Sequence, residues 1–238
     1  MTDLYVHHHL GLGDHLHCNG MVRYILKDDM LLSYDKVGVF AKSSYYDMVK
    51  YMYRDDDSIE VIEIDGNNEY QDVYEYMMNN SDSDFLRVGH ENYPGPGYEE
   101  QTGKNCCQIF YEQVGIPYDV HYDMFHIERD LDEEKRVYDK LNPSGEPFIF
   151  VHDDPDRGHT LDRSHFLNSK LKVIENDLDE NIFHFIKILE NAKEIHCMES
   201  CFKILVEFFS TTDKLFFHDF RGHPLGANKK EWTVINYA

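Results

Sequence analysis

The sequence predicts an α/β chain built as two small parallel-sheet halves, and three observations carry that prediction. Short apolar runs of strand length alternate with segments of helical periodicity along the whole chain. Two strand-to-helix junctions, around residues 10–14 and 198–201, gather glycine, acid and hydroxyl side chains where such sheets present ligands. Between them, Asn142-Pro-Ser-Gly-Glu-Pro147 breaks the pattern sharply.

The first half opens on a buried strand at 4–9. Gly11-Leu12-Gly13 then forms a turn in which the backbone can take a positive φ or come close to a ligand. Asp14 falls at the helix N-cap position, and Leu16, Met21, Val22 and Ile25 supply an apolar stripe behind it. Strands at 35–42, 59–65 and 84–90 follow, separated by helices that begin at Ser43-Ser44 and at Asn67 or Asn68. This βαβ alternation makes residues 1–128 a Rossmann-like half. The proline–glycine loop at 92–98 lies on the same sheet edge as Asp14, and it reads either as a connecting turn or as the wall of a pocket. Residues 101–114 read as one helix, in which Cys106 and Cys107 serve packing. Residues 117–131 read as an aromatic loop.

The second half, 129–238, begins with a charged helix running to Leu141. Strands at 147–154, 171–174, 194–198 and 214–218 alternate with helices at 181–192 and 200–209, giving a second Rossmann-like half. Residues 232–235 finish the sheet or dock the tail. The two halves are expected to face one cleft.

Composition narrows the function. Of the 238 residues 42% are hydrophobic and 14% aromatic, enough for a packed core. Lys and Arg number 23 against 45 Asp and Glu, a net charge of −22, which argues against nucleic acid or an anionic membrane as partner. A nucleotide needs only one or two local cations and is still allowed. Five cysteines with no Cys-x-x-Cys pair indicate neither a disulfide framework nor a zinc ribbon, so a reducing, cytoplasmic setting is expected. Neither a secretory signal nor a membrane-spanning run is expected.

The two junctions carry the chemistry. A dinucleotide fingerprint would need a third glycine at position 16, which is Leu16. Asp14 would also repel a phosphate from the helix start, so the turn suits a carboxylate acting on a hydroxyl. The plainer alternative is a βα turn with a capping acid. In the second half, Arg157 follows the strand ending in His152, placed either to meet a phosphate or to pair with Asp153, Asp154 or Asp156. Glu199 can accept from a ribose diol, and Ser200 with the first helical N–H groups makes an anion site, unless the two are simply a capping pair. Of the fifteen histidines, His7 and His9 share a strand face, while His15 and His17, two apart on a helix, point away from each other. His90, His152 and His196 are the strand-end candidates for further ligands, and no metal site is expected.

Gly11-Leu-Gly-Asp-His-Leu-His-Cys-Asn-Gly-Met-Val-Arg23 resembles the opening motif of GT-B glycosyltransferases of the heptosyltransferase type. In that family a glycine-rich turn ending in Gly-Asp follows the first strand, and the Asp is the catalytic base. His15, His17 and the short chain depart from the pattern. The stretch from His152 to Arg157 is similar to strand-end His/Arg elements that contact the donor diphosphate in fucosyltransferase-like members, with Asp-Asp-Pro-Asp inserted here. The stretch from His196 through Glu199 and Ser200 is similar to the donor-side turn of the heptosyltransferase type. The resemblance implies a metal-independent enzyme moving a sugar from a nucleotide-sugar to a glycan or other hydroxyl acceptor, without a further cofactor. It implies Asp14 as base, His152, Arg157, His196, Glu199 and Ser200 around the donor, and His9, Gly11, Gly13, His15, Asn19 and Tyr93 around the acceptor. Two rivals stay open: a metal-dependent hydrolase using the N-terminal histidines, and a non-catalytic nucleotide- or sugar-binding protein.

Overall fold

A computed structural model describes residues 2–27, 34–91, 97–167, 169–222 and 224–237. The chain divides into two compact units, Met1–Glu128 and Arg129–Ala238.

In the first unit, β1 (Thr2–His7), β2 (Tyr34–Lys42), β3 (Ile59–Ile64) and β4 (Asp84–Arg87) form a parallel sheet in the order β3-β2-β1-β4. Val6 of β1 pairs with Val39 on one side and Leu86 on the other, which buries the centre of the sheet. The helices are α1 (Leu12–Lys27), α2 (Tyr46–Met52), α3 (Glu69–Asn79), α4 (Tyr98–Thr102), α5 (Cys106–Gln113) and α6 (Val120–Asp123). One core cluster joins Tyr5, Leu10, Phe40, Ile62, Ile64 and Val73. The α1 stripe of Leu16, Met21, Val22 and Ile25 is buried.

Three local expectations are corrected. Asp14 is the third residue of α1, since its N–H and that of His15 both bond the Gly11 carbonyl, which makes Gly11 the flanking residue. The single helix read over 101–114 is two. Gly103, at φ +68°, ends α4, and Asn105 starts α5 through a reciprocal capping box with Gln108. The stretch read as an aromatic loop contains α6, whose backbone lies against α1. A Cβ at Gly20 would sit 2.6 Å from the Val120 carbonyl, so only glycine permits that approach.

The second unit carries α7 (Leu131–Leu141), β5 (Phe148–His152), β6 (Lys172–Glu175), α8 (Ile186–Asn191), β7 (Glu194–Met198), α9 (Cys201–Phe209), β8 (Leu215–Asp219) and β9 (Thr233–Asn236). Its sheet is parallel throughout, in the order β6-β5-β7-β8-β9. All five residues of β5 are buried, as two-sided coverage by helices requires. The helix read over 181–192 begins as a 3₁₀ turn, Ile182–Phe185, before becoming α8. Among the described residues no helix is long and apolar enough to cross a membrane.

Candidate functional site

An open parallel sheet binds ligands outside the carboxyl ends of its strands, where the strand order reverses. In the first unit the chain runs outward from β1 through β2 to β3 and returns to place β4 on the other side of β1. The reversal therefore lies between β1 and β4, at the turn that carries Asp14.

Asp14 is half-buried in the first turn of α1. Its carboxylate accepts from the backbone N–H groups of Gly11 and Asp14 itself, and it makes no ion pair among the described residues. Burial raises its pKa from 3.8 to about 6, against the opposing charges of His9 and Lys42. Gly11 leaves room for this carboxylate. Neither Gly11 nor Gly13 takes a positive φ, but a Cβ at Gly11 would lie 2.7 Å from Asp14 Oδ2. His9 is exposed beside the acid, its Nε2 at 2.8 Å from the carbonyl of Gly89, two residues past β4.

The sequence reading missed two neighbours, Lys42 and Glu69. Lys42 Nζ lies 2.8 Å from Glu69 Oε2, and the other oxygen of Glu69 lies 3.1 Å from His7 Nε2. The His7 and His90 rings are 4.2 Å apart, and burial holds His90 at a pKa of about 4, neutral under ordinary conditions. Lys42 ends β2, so the strand-end rule that selected Asp14 would have selected it too. Glu69, His7 and His90 could together hold a cation, although the Lys42 ammonium already compensates the carboxylate.

His9, Gly11 and Gly13 therefore gather with Asp14, whereas His15 and Asn19 do not line the rim. His15 is fully buried with its ring 4.5 Å from that of His8, and burial drives its pKa far down. Asn19 is also fully buried, its amide bonding the His126 backbone at both ends, at 3.2 and 2.9 Å. Tyr93 lies outside the described residues.

In the second unit the order reverses between β5 and β7. His152, at the end of β5, is nearly buried, and its Nδ1 lies 2.9 Å from Asn176 Oδ1. Ser200 flanks the start of α9 in extended backbone; its hydroxyl caps nothing, and its buried Oγ has no hydrogen-bond partner among the described residues. An unsatisfied hydroxyl beside the first N–H groups of a nine-residue helix is chemically suited to an anion. Glu199 is exposed, 3.5 Å from Arg221 Nη1.

The other two donor-side expectations meet competing contacts. Arg157 sits on a 3₁₀ turn, Pro155–Arg157, and its guanidinium pairs with Asp154. His196 is buried with both ring nitrogens engaged. The Asp162 N–H donates to the Tyr237 hydroxyl, which bonds His218 Nδ1; His218 Nε2 bonds His196 Nδ1, and His196 Nε2 bonds Glu194. One proton assignment satisfies every link with both imidazoles neutral, and burial pushes both pKa values down. Arg163 was missed by the sequence reading. Its Nη2 lies 2.9 Å from both Asp153 and Glu175, while its buried Nη1 has no hydrogen-bond partner among the described residues.

No protein-family model matches the chain, and no curated protein matches it in sequence. Solved structures do match in fold. A glycosyl transferase family 9 structure from Veillonella parvula aligns over 99% of this chain and 86% of its own, at 9% identity and a TM-score of 0.58. The E. coli ADP-heptose LPS heptosyltransferase II aligns over 99% and 90%, at 11% identity and a TM-score of 0.52. E. coli heptosyltransferase WaaC with ADP aligns over 99% and 93%, at 9% identity and a TM-score of 0.52. The fold is thus that of GT-B glycosyltransferases of the heptosyltransferase kind, with two parallel-sheet α/β units.

Proposed function

We propose that the protein is a glycosyltransferase that moves a sugar from a nucleotide-sugar to a hydroxyl of an acceptor, for which a glycan is the expected class. The observation that carries this reading is the Asp14 carboxylate: half-buried at a strand-order reversal, without an ion pair among the described residues, and raised to a pKa of about 6. Such a group is mostly ionised at neutral pH yet basic enough to accept a proton, as a general base needs to be. The fold likeness supports the same class of chemistry, but fold alone does not assign function.

In the proposed inverting reaction the acceptor oxygen attacks the anomeric carbon as Asp14 takes its proton. The bond from that carbon to the leaving diphosphate breaks, and the charge that develops there needs donors. The first unit supplies the acceptor side, with His9 beside the acid and the Gly11 turn fixing its carboxylate. The second supplies the donor side: Ser200 Oγ and the α9 N–H groups for the diphosphate, and Glu199 for the ribose diol. His152 lines this side through its second ring nitrogen, and Arg157 joins it only by leaving Asp154. The buried His196 has a positioning role through its hydrogen-bond chain. Protein groups carry the transfer step itself in this reading. Five free cysteines, three of them buried, fit a reducing compartment.

The test is a panel of nucleotide-sugars incubated with the protein and glycan acceptors, followed by mass spectrometry. Release of nucleoside diphosphate matched by a sugar-sized mass gain on the acceptor, lost in Asp14→Asn, supports the assignment. Absence of release across the panel, or equal turnover by the variant, contradicts it.

A further inference from the structure

Three side chains outside the proposed reaction converge where α1, α5 and α6 pack together. The ligand atoms of His17, Cys107 and His121 all lie within 4.8 Å of one another. Cys107 is fully buried, His121 is 2% exposed, and His17 is half-buried, so the cluster opens on one side only. From this geometry we infer that His17, Cys107 and His121 bind a divalent transition-metal ion of the zinc class, which pins α5 and α6 to the helix carrying Asp14.

The donor set is one imidazole–thiolate–imidazole trio, which suits a borderline-soft ion over magnesium or calcium, both of which prefer oxygen. Around a tetrahedral zinc such donors stand roughly 3.3–3.6 Å apart, so small side-chain rotations close the site. Its surroundings are already ordered. His121 Nδ1 lies 3.1 Å from the His17 carbonyl, an atom that can only accept. Nδ1 therefore carries the proton and Nε2 the lone pair, the tautomer that a metal ligand fixed by a backbone carbonyl requires. Tyr111 donates to the same carbonyl at 3.1 Å, and Tyr118 hydrogen-bonds the Cys107 sulfur, where it would support a thiolate. The Tyr118 ring stacks on His121 at 5.4 Å. Gly20 and the Asn19 clamp on His126 hold the α6 region against α1 independently of any ion. On binding, the Cys107 thiol gives its proton to solvent and the ion takes its place; the fourth position, on the half-buried side of His17, is left to water. This ion would sit about one helical turn along α1 from Asp14, which makes its role that of a brace.

Co²⁺ titration of the metal-stripped full chain tests this directly. The expected result is one equivalent bound, with a thiolate-to-cobalt charge-transfer band and four-coordinate visible bands that Zn²⁺ bleaches. Cys107→Ser should abolish the charge-transfer band and His121→Gln should weaken binding at least tenfold, while Cys106→Ser and His90→Gln leave both unchanged. Absence of the charge-transfer band in the wild-type chain overturns the proposal whatever the variants do. So does a band that survives Cys107→Ser, or binding that is lost in His90→Gln, which would move the ion to His7, Glu69 and His90.

Discussion

The two strand-order reversals use charge in opposite ways. In the first unit, Asp14 makes no ion pair among the described residues, because Lys42, the nearby ammonium, is held by Glu69. In the second unit the described arginines around the reversal are matched to acids: Arg157 to Asp154, Arg163 to Asp153 and Glu175, and Arg221 to Glu199. A carboxylate whose pKa burial raises can change protonation near neutral pH, whereas one paired with a guanidinium stays ionised there. The first reversal is thus equipped to move a proton. The second offers an anion the donors left over among the described residues, Ser200 Oγ, the start of α9 and the one guanidinium nitrogen of Arg163 that has no partner.

The contrast breaks most visibly at Asp14. Asp14→Asn should lower kcat by ~10²–10⁴-fold while leaving nucleoside diphosphate affinity within twofold, since only the proton acceptor is removed. Transfer rates and calorimetric titration on one preparation read both quantities. Gly11→Ala should cost up to about 10²-fold in kcat with the fold intact, because the new methyl displaces the carboxylate rather than the backbone. Wild-type turnover in that variant would mean that Asp14 needs no fixed position.

Ser200→Ala sharpens the second half of the comparison. It should weaken nucleoside diphosphate binding by about 1.5–3 kcal/mol, the range for a hydrogen bond to a charged group. Arg157→Ala should cost less, under about 1 kcal/mol, because its guanidinium is already committed to Asp154 and half exposed. If the ranking came out reversed in calorimetry, Arg157 would be a diphosphate ligand that leaves Asp154 on binding.

The smallest expected effect is on stability. The folded pKa of Asp14 lies above the ordinary 3.8, so ionising this group costs the native state. Below about pH 3 the folded and unfolded forms are both protonated and nothing is lost; the cost grows between about pH 3 and 6 and is complete above that. Asp14→Asn should accordingly be more stable than wild type by on the order of 1–2 kcal/mol at pH 8 and no different below about pH 3, as read by denaturant melts.

Much of this was legible in the sequence, and the reasons are local. Buried strands such as Phe148–His152 announce themselves as continuous apolar runs, and the Gly-Leu-Gly-Asp turn marks the first junction. What stayed hidden depended on which side chains meet in space. Asn19 stands among the acceptor residues that the resemblance implies until His126 is found across 107 positions, and His15 does so until His8 is found packed on it. Arg157 and its acids were visible together, but their pairing was one of two readings until the 3₁₀ turn placed Asp154 against the guanidinium. The Glu69–Lys42 pair needed the helix start of α3 to meet the end of β2, which no local pattern encodes.

The most direct test of the Asp14 assignment is the pH dependence of kcat/KM for transfer, measured from pH 4.5 to 8.5 in wild type and in Asp14→Asn. The wild-type profile should be level above pH 7 and fall about tenfold per pH unit below a midpoint near 6, the value to which burial raises this carboxyl. The residual activity of the variant should lack that limb. A wild-type profile without a limb near pH 6, or the same limb in the variant, would contradict Asp14 as the base.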